Sequence, residues 1–218
     1  AKNYEDYPSS ANFGTCNVNY YEDIYVGYRY FETFTEARDK VNYCFGHGLS
    51  YTKFNIACKQ FSYGQDGTVT VTLEVKNTGD YAGKEVVQIY YDAPSGMLGK
   101  AAKSLIAFQK TKLLLPGETQ TIVFTLHQND IASYDDTGKT DYKAAYVLEA
   151  GEYKVYVGNS VRNAGENMAG SFYIPQTVCV EQLSTLCSPV DLKERLISNG
   201  SGQLLTESLE DQVFPVHD

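Results

Sequence analysis

Residues 68–75 read T-V-T-V-T-L-E-V, and that alternation leaves the segment one simple way to bury its apolar side chains. On an extended strand successive side chains point to opposite faces. Val69, Val71, Leu73 and Val75 therefore share one face, with threonines and Glu74 on the other. The turn residues Asn77, Thr78, Gly79 and Asp80 follow, and a second strand is expected over residues 85–91. Further along, Leu113, Leu114 and Leu115 run into Pro116-Gly117-Glu118, after which residues 121–126 alternate again with Ile122, Phe124 and Leu126 facing inward. Ala150-Gly151-Glu152 opens the last clear strand, on which Tyr153, Val155 and Val157 share a face. Short alternating segments separated by turns, from residue 51 to about residue 160, predict a mainly β chain folded as an antiparallel sandwich.

The flanks read differently. Residues 1–50 are rich in Tyr, Gly and polar side chains, with one strand-like run over residues 24–28. They hold too little aliphatic material for a core of their own, so they are expected to pack either on the sandwich or on a domain that precedes it. Residues 161–175 are expected to form a loop and a final strand over 171–174. From Gln176 onward the spacing of Val180, Leu183 and Leu186 suggests a helical face, broken at Ser188-Pro189 before Leu192 and Leu196. Residues 198–202, S-N-G-S-G, have the composition of a flexible linker. The expected division is thus 1–50, 51–175 for the sandwich domain, and 176–218 as a helical tail or linker.

Composition excludes several function classes. Eighteen basic against twenty-seven acidic residues give a formal net charge of -9 at pH 7, which disfavours a nucleic-acid partner, because phosphate binding needs a concentrated basic surface. No apolar run is long enough to cross a bilayer, and the first residues, Ala1 to Tyr4, do not resemble a signal peptide. A cytoplasmic placement is expected unless an upstream segment directs the chain elsewhere. The five cysteines, Cys16, Cys44, Cys58, Cys179 and Cys187, lack C-x-x-C spacing, and the three histidines, His47, His127 and His217, are far apart. Neither a metal site nor a disulfide framework is expected, and the thiols are read as reduced structural residues.

Two segments carry a resemblance. Residues 21–33, Y-E-D-I-Y-V-G-Y-R-Y-F-E-T, look like a strand near the end of the α/β domain of family 3 glycoside hydrolases. Residues 45–52, F-G-H-G-L-S-Y-T, resemble the element that leads into that family's fibronectin-III-like domain. The sandwich agrees with the family's pattern at V-K-N-T-G-D (75–80), G-K-E-V-V-Q-I-Y (83–90), L-I-A-F-Q-K (105–110) and L-P-G-E (115–118). The likeness covers roughly residues 18–160, and the tail over 180–192 is similar to the segment C-terminal to this domain in clostridial-type members. Cys44 departs from the pattern, standing where the family usually has Pro. The implied fold is a fibronectin-III or immunoglobulin-like β-sandwich with a remnant of an α/β domain before it and a short helical tail after it.

The motifs also have a physical reading of their own. Glycines at 46 and 48 permit a sharp corner with Phe45 and Tyr51 buried on either side. Arg29, flanked by aromatics, is placed to stack its guanidinium and to reach Glu22, Asp23 or Glu32.

The implied chemistry lies mostly outside these residues. Retaining glycosidases need two carboxylates about 5–5.5 Å apart, one a nucleophile and one an acid/base. In the family that this chain resembles, the first is an aspartate on a barrel domain and the second a glutamate earlier in the α/β domain. Neither has a counterpart here, so no catalytic residue, metal or cofactor is assigned, and the substrate-binding residues are unknown. Adjacent acids at Glu22 and Asp23 are a tempting dyad, but neighbours on a strand diverge. Tyr21, Tyr25, Tyr28 and Tyr30 raise the possibility of a sugar-stacking platform, although their alternation suits core or interface residues better. The loop over 92–104, with Pro94, Gly96 and Gly99, is the better candidate for reaching the rim of a neighbouring active site.

Two functions compete. One is the C-terminal structural part of a β-glucosidase or β-xylosidase type enzyme, bracing catalytic barrel and α/β domains that act on a β-glucoside or β-xyloside, and inactive alone. The other is a free-standing carbohydrate-binding or adhesion module on the same sandwich. An accessory piece should leave apolar surface open for its partner, whereas a finished module should be polar all round.

Overall fold

The computed structural model describes residues 20–184 and 193–210. After a turn over residues 21–24, two short helices, α1 (Tyr28–Thr33) and α2 (Thr35–Arg38), precede the first strands, β1 (Phe54–Tyr63) and β2 (Thr68–Asn77). There follow β3 (Val86–Asp92), β4 (Ser104–Lys110), β5 (Thr119–His127), β6 (Ser133–Asp135), β7 (Ala145–Leu148) and β8 (Gly151–Gly158). A third short helix, α3 (Val161–Gly165), leads to β9 (Met168–Ile174) and β10 (Val178–Gln182). Beyond the gap lie β11 (Glu194–Ile197) and β12 (Leu205–Ser208).

All strand pairings are antiparallel. One sheet has the order β1-β2-β5, a second β4-β3-β8-β9, and a small third β10-β7-β6, with β11-β12 as a separate hairpin. The alternation at 68–75 does what it should: Val69, Val71, Leu73 and Val75 are at most 3% exposed. Across the ladder Val71 pairs with Phe124 and Leu73 with Ile122. Tyr153, Val155 and Val157 of β8 supply the facing layer, and the two layers close on one core that also takes Val87, Ile89, Leu114 and Leu148.

Asn77 shows why V-K-N-T-G-D is a structural motif. Its side chain is buried and all four of its hydrogen-bonding sites are used. Nδ2 donates to the carbonyls of Tyr81 (2.8 Å) and Leu114 (2.9 Å), and Oδ1 accepts from Thr52 Oγ1 (2.7 Å) and Gly79 N (3.1 Å). One amide thus ties the end of β2 to three loops, and a buried amide in that setting is stabilising because none of its groups is left unpaired.

The structure corrects the expected tail. Val178–Gln182 is a strand that pairs with β7, with Cys179 opposite Val147, and residues 194–208 form a hairpin. The spacing of Val180 and Leu183 matches a helix, but the edge of β7 offers a ladder that a short helix does not. Leu186, Ser188, Pro189 and Leu192 lie outside the described residues, as do Cys16, Cys187 and His217. Residues 198–202 belong to the turn of the hairpin: Ser198 is buried, and Thr35 N donates to Gly202 O (2.8 Å).

The expected strand at 24–28 is also corrected. Asp23 (φ 51°) and Gly27 (φ 63°) both occupy left-handed backbone, which breaks an extended run at each end. The aromatics of this segment build a second, smaller core, Tyr25, Tyr30, Phe31, Phe34 and Ala37, completed by Ala101 from the β3–β4 loop and Leu196 from the hairpin. The segment also docks on α3: Arg162 Nε donates to Glu32 Oε1 (2.8 Å) and its Nη2 to Arg38 O (2.9 Å).

Candidate functional site

Each candidate from the sequence has a definite place. Glu22 is buried, at 2% exposure, and Asp23 sits in a turn with its carboxylate 3.2 Å from Arg195 Nη1. The extended-strand argument against a Glu22–Asp23 dyad is replaced by this turn geometry, in which one acid is enclosed and the other ion-paired.

Tyr25 is packed on Phe34 at 5.0 Å between ring centroids, and its hydroxyl accepts from Ser198 N (2.9 Å). Burial pushes its pKa up to about 12. Tyr28 stacks on Phe45 at 4.7 Å and accepts from Leu105 N at 2.8 Å, while Tyr30 is 5% exposed. Tyr25 and Tyr30 are core and Tyr28 is half-buried against Phe45, so the expected sugar platform has no accessible faces at Tyr25 and Tyr30. Arg29 reaches none of Glu22, Asp23 and Glu32 among the described ion pairs. Glu32 is taken by Arg38 and Arg162, and Asp23 by Arg195.

The corner at 45–51 differs from expectation. Gly46 (φ 84°) passes so close to Ser160 and Asn159 that a Cβ would collide with their backbone. Phe45, however, is 45% exposed, and Leu49 and Tyr51 are each 96% exposed. Among the described residues, nothing covers Leu49 or Tyr51.

The loop between β3 and β4 is rigidly held. Glu149, buried at the end of β7, accepts from Met97 N (2.5 Å) and from Lys100 Nζ (2.6 Å). Ala102 N donates to Thr33 Oγ1 (2.9 Å). Burial pushes the Lys100 pKa down, and the Glu149 carboxylate only partly offsets it.

Beside this loop lies a cleft of about 510 Å³, walled by Asp23, Arg29, Tyr91, Lys100, Tyr134, Asp136, Tyr146 and Arg195 among others. Arg195 organises it, pairing with Asp23 (3.2 Å), Asp136 (2.9 Å) and Glu207 (3.1 Å). Burial raises the Asp23 pKa, only partly countered by Arg195. Sequence reading missed this cleft because its walls come from widely separated stretches of chain. Among the described residues Cys44, Cys58 and Cys179 are free thiols, and no group of three or more His, Cys, Asp or Glu side chains is placed to hold a metal.

Comparison with known proteins decides the family. A fibronectin type III-like domain model matches residues 85–161. A β-glucosidase of Ruminococcus albus is 48% identical over 198 residues, spanning 90% of this chain and 20% of the relative. The chain matches a part of family 3 glycoside hydrolases. It corresponds to their C-terminal, fibronectin-III-like region. β-Glucosidase A of Butyrivibrio fibrisolvens is 42% identical over 224 residues, covering 95% of this chain and 27% of that protein. A Paenibacillus barengoltzii β-glucosidase structure superposes with a TM-score of 0.84 at 45% identity, over 93% of this chain and 23% of that one. The Bifidobacterium adolescentis GH3 β-glucosidase gives a TM-score of 0.64 at 32% identity, over 79% and 24%. The chain thus spans about a fifth to a quarter of the length of these relatives.

Proposed function

We propose that this chain is the structural part of a retaining β-glucosidase, bracing a catalytic barrel and α/β domain that carry both catalytic carboxylates. The parent hydrolyses terminal β-linked glucosyl units through a covalent glycosyl intermediate, without a metal. Several relatives spanning most of this chain are β-glucosidases, and that supports the reaction class.

The observation that carries the bracing role is the segment over 43–51. Tyr43, Leu49 and Tyr51 are 74%, 96% and 96% exposed, and three large side chains left so open within nine residues suit a surface that a partner covers. It favours an accessory piece over a free-standing adhesion or carbohydrate-binding module. The occupant is the remainder of the parent chain, which in the relatives is roughly three to four times as long as the part matched here. The loop over 93–103, held by Glu149 and Thr33, is stiff enough to shape the rim of the parent's active site.

The test is association. The chain and a polypeptide carrying the barrel and α/β domains should form a one-to-one complex by analytical ultracentrifugation. Leu49→Ser with Tyr51→Ser should weaken it at least tenfold while the melting curve of the chain alone stays unchanged. A complex indifferent to both substitutions would contradict the bracing role.

A further inference from the structure

Tyr134 and Tyr146 stand directly opposite each other on β6 and β7. Their ring centroids are 5.4 Å apart with the planes tilted by 55°. They are 41% and 39% exposed, and both line the 510 Å³ cleft that Arg195 organises. A cross-strand pair of tyrosines at the mouth of a cleft offers adjoining apolar faces with polar tips.

The charges set the ligand class. Arg195 is neutralised between Asp23 and Asp136, whereas Arg29 takes part in none of the ion pairs among the described residues and lines the same cleft. Lys100, the third cation of the lining, is taken by Glu149, so a phosphate entering here would find its other cations already paired and would meet two carboxylates. An apolar ligand would strip water from the charged groups of the lining, Asp23, Arg29, Lys100, Asp136 and Arg195, without replacing their hydrogen bonds. A neutral polyhydroxylated ring satisfies both demands, with its C–H face on an aromatic ring and its hydroxyls donating to carboxylates and accepting from guanidinium N–H groups. The volume falls within the range of about 300–1,000 Å³ typical of small-molecule sites.

We propose that this cleft binds a pyranoside, stacked on Tyr146 and Tyr134 with its hydroxyls directed to Arg29 and Asp136. That the sugar is a β-glucoside rests on the function proposed above; that it is a pyranose rests on the cleft alone. Tyr146 is 39% exposed at its end of β7, whereas Ala145 and Val147, on the opposite face of the strand, are fully buried.

The test is a titration of the chain with cellobiose and methyl β-D-glucopyranoside, followed by ¹H–¹⁵N spectra, with mannitol and inorganic phosphate as comparisons. Saturable shifts at residues 134, 136 and 146 are expected with both sugars and not with phosphate. Tyr146→Ala and Arg29→Gln should each weaken binding at least tenfold, and Tyr146→Phe, which keeps the ring, should bind within twofold of the original. The same spectra verify that each variant is folded. Saturation by phosphate but not by sugar, no saturable shift at all, or sugar binding untouched by Tyr146→Ala and Arg29→Gln would each overturn the proposal. Failure here alongside a tight complex with the barrel fragment removes only the pyranoside site. Sugar binding without that complex removes only the bracing role.

Discussion

The guanidinium of Arg195 lies 2.9 Å from the carboxylate of Asp136, and this contact fastens the C-terminal hairpin to the sandwich. The same side chain holds Asp23 of the N-terminal segment and Glu207 of its own hairpin. Three regions distant in sequence therefore meet on one buried cation. Its pKa is raised: burial opposes the charge, but the surrounding carboxylates outweigh burial.

Removing that cation should be costly. Arg195→Ala leaves Asp23 and Asp136 without their cation in a partly buried site, while Glu207 keeps Lys139, and breaking a buried pair typically costs about 3–5 kcal/mol. Urea unfolding of the chain should show a loss of that order. A shift below about 0.5 kcal/mol, the size expected of a surface substitution, would mean that the hairpin is not fastened by this residue.

The loop between β3 and β4 should show an asymmetry between single and double changes. Lys100 and Glu149 are buried together at 2.6 Å, so Lys100→Met alone strands a carboxylate and should destabilise by about 3–5 kcal/mol. Adding Glu149→Gln, which keeps an acceptor for Met97 N, should recover more than half of the loss. A double-mutant cycle by urea denaturation measures this coupling, and additive losses would contradict it.

Acid should weaken the fold in a way that Asp135 explains. This buried carboxylate accepts from the N–H groups of Thr137, Gly138, Lys139 and Thr140 and from the Thr140 hydroxyl. Burial pushes its pKa up, but those hydrogen bonds outweigh burial and hold it below the ordinary value of 3.8. A depressed folded-state pKa means that its stabilisation is complete above the unfolded value and is lost as pH falls through the folded one. Unfolding free energy measured across that acid window should fall in the original chain. It should fall less in Asp135→Asn, which starts less stable at neutral pH. Equal acid sensitivity in the two proteins would sink this attribution.

The sandwich core should respond to truncation on one face only. Leu73→Ala, at a fully buried position, should cost about 2–5 kcal/mol. Val123→Ala, 54% exposed on the neighbouring strand β5, should change stability by less than about 0.5 kcal/mol. Thermal denaturation distinguishes the two directly.

The sandwich was legible because each central strand declares itself locally. The alternation at 68–75 and 153–157 needs no knowledge of its partners, since a period of two admits one face. The ends were not legible, for a reason that lies in distance along the chain. Val178–Gln182 becomes a strand because β7, some thirty residues earlier, leaves an edge for it. Arg195 finds Asp23 across 172 residues and Asp136 across 59, and no local period records such a meeting. The run at residues 24–28 was misread for a nearer cause: an aromatic run resembles a strand unless the left-handed backbone at Asp23 and Gly27 is known. The cleft with Tyr134 and Tyr146 was invisible because each tyrosine alone looks like an ordinary strand residue.

We propose that these layers support sugar cleavage performed by other domains. Release of p-nitrophenol from p-nitrophenyl β-D-glucopyranoside tests it most directly, assayed with the chain alone, with the barrel-bearing fragment alone, and with the two mixed. No release is expected from the chain, little from the fragment, and restored turnover on mixing. Hydrolysis by the purified 218-residue chain on its own would contradict it.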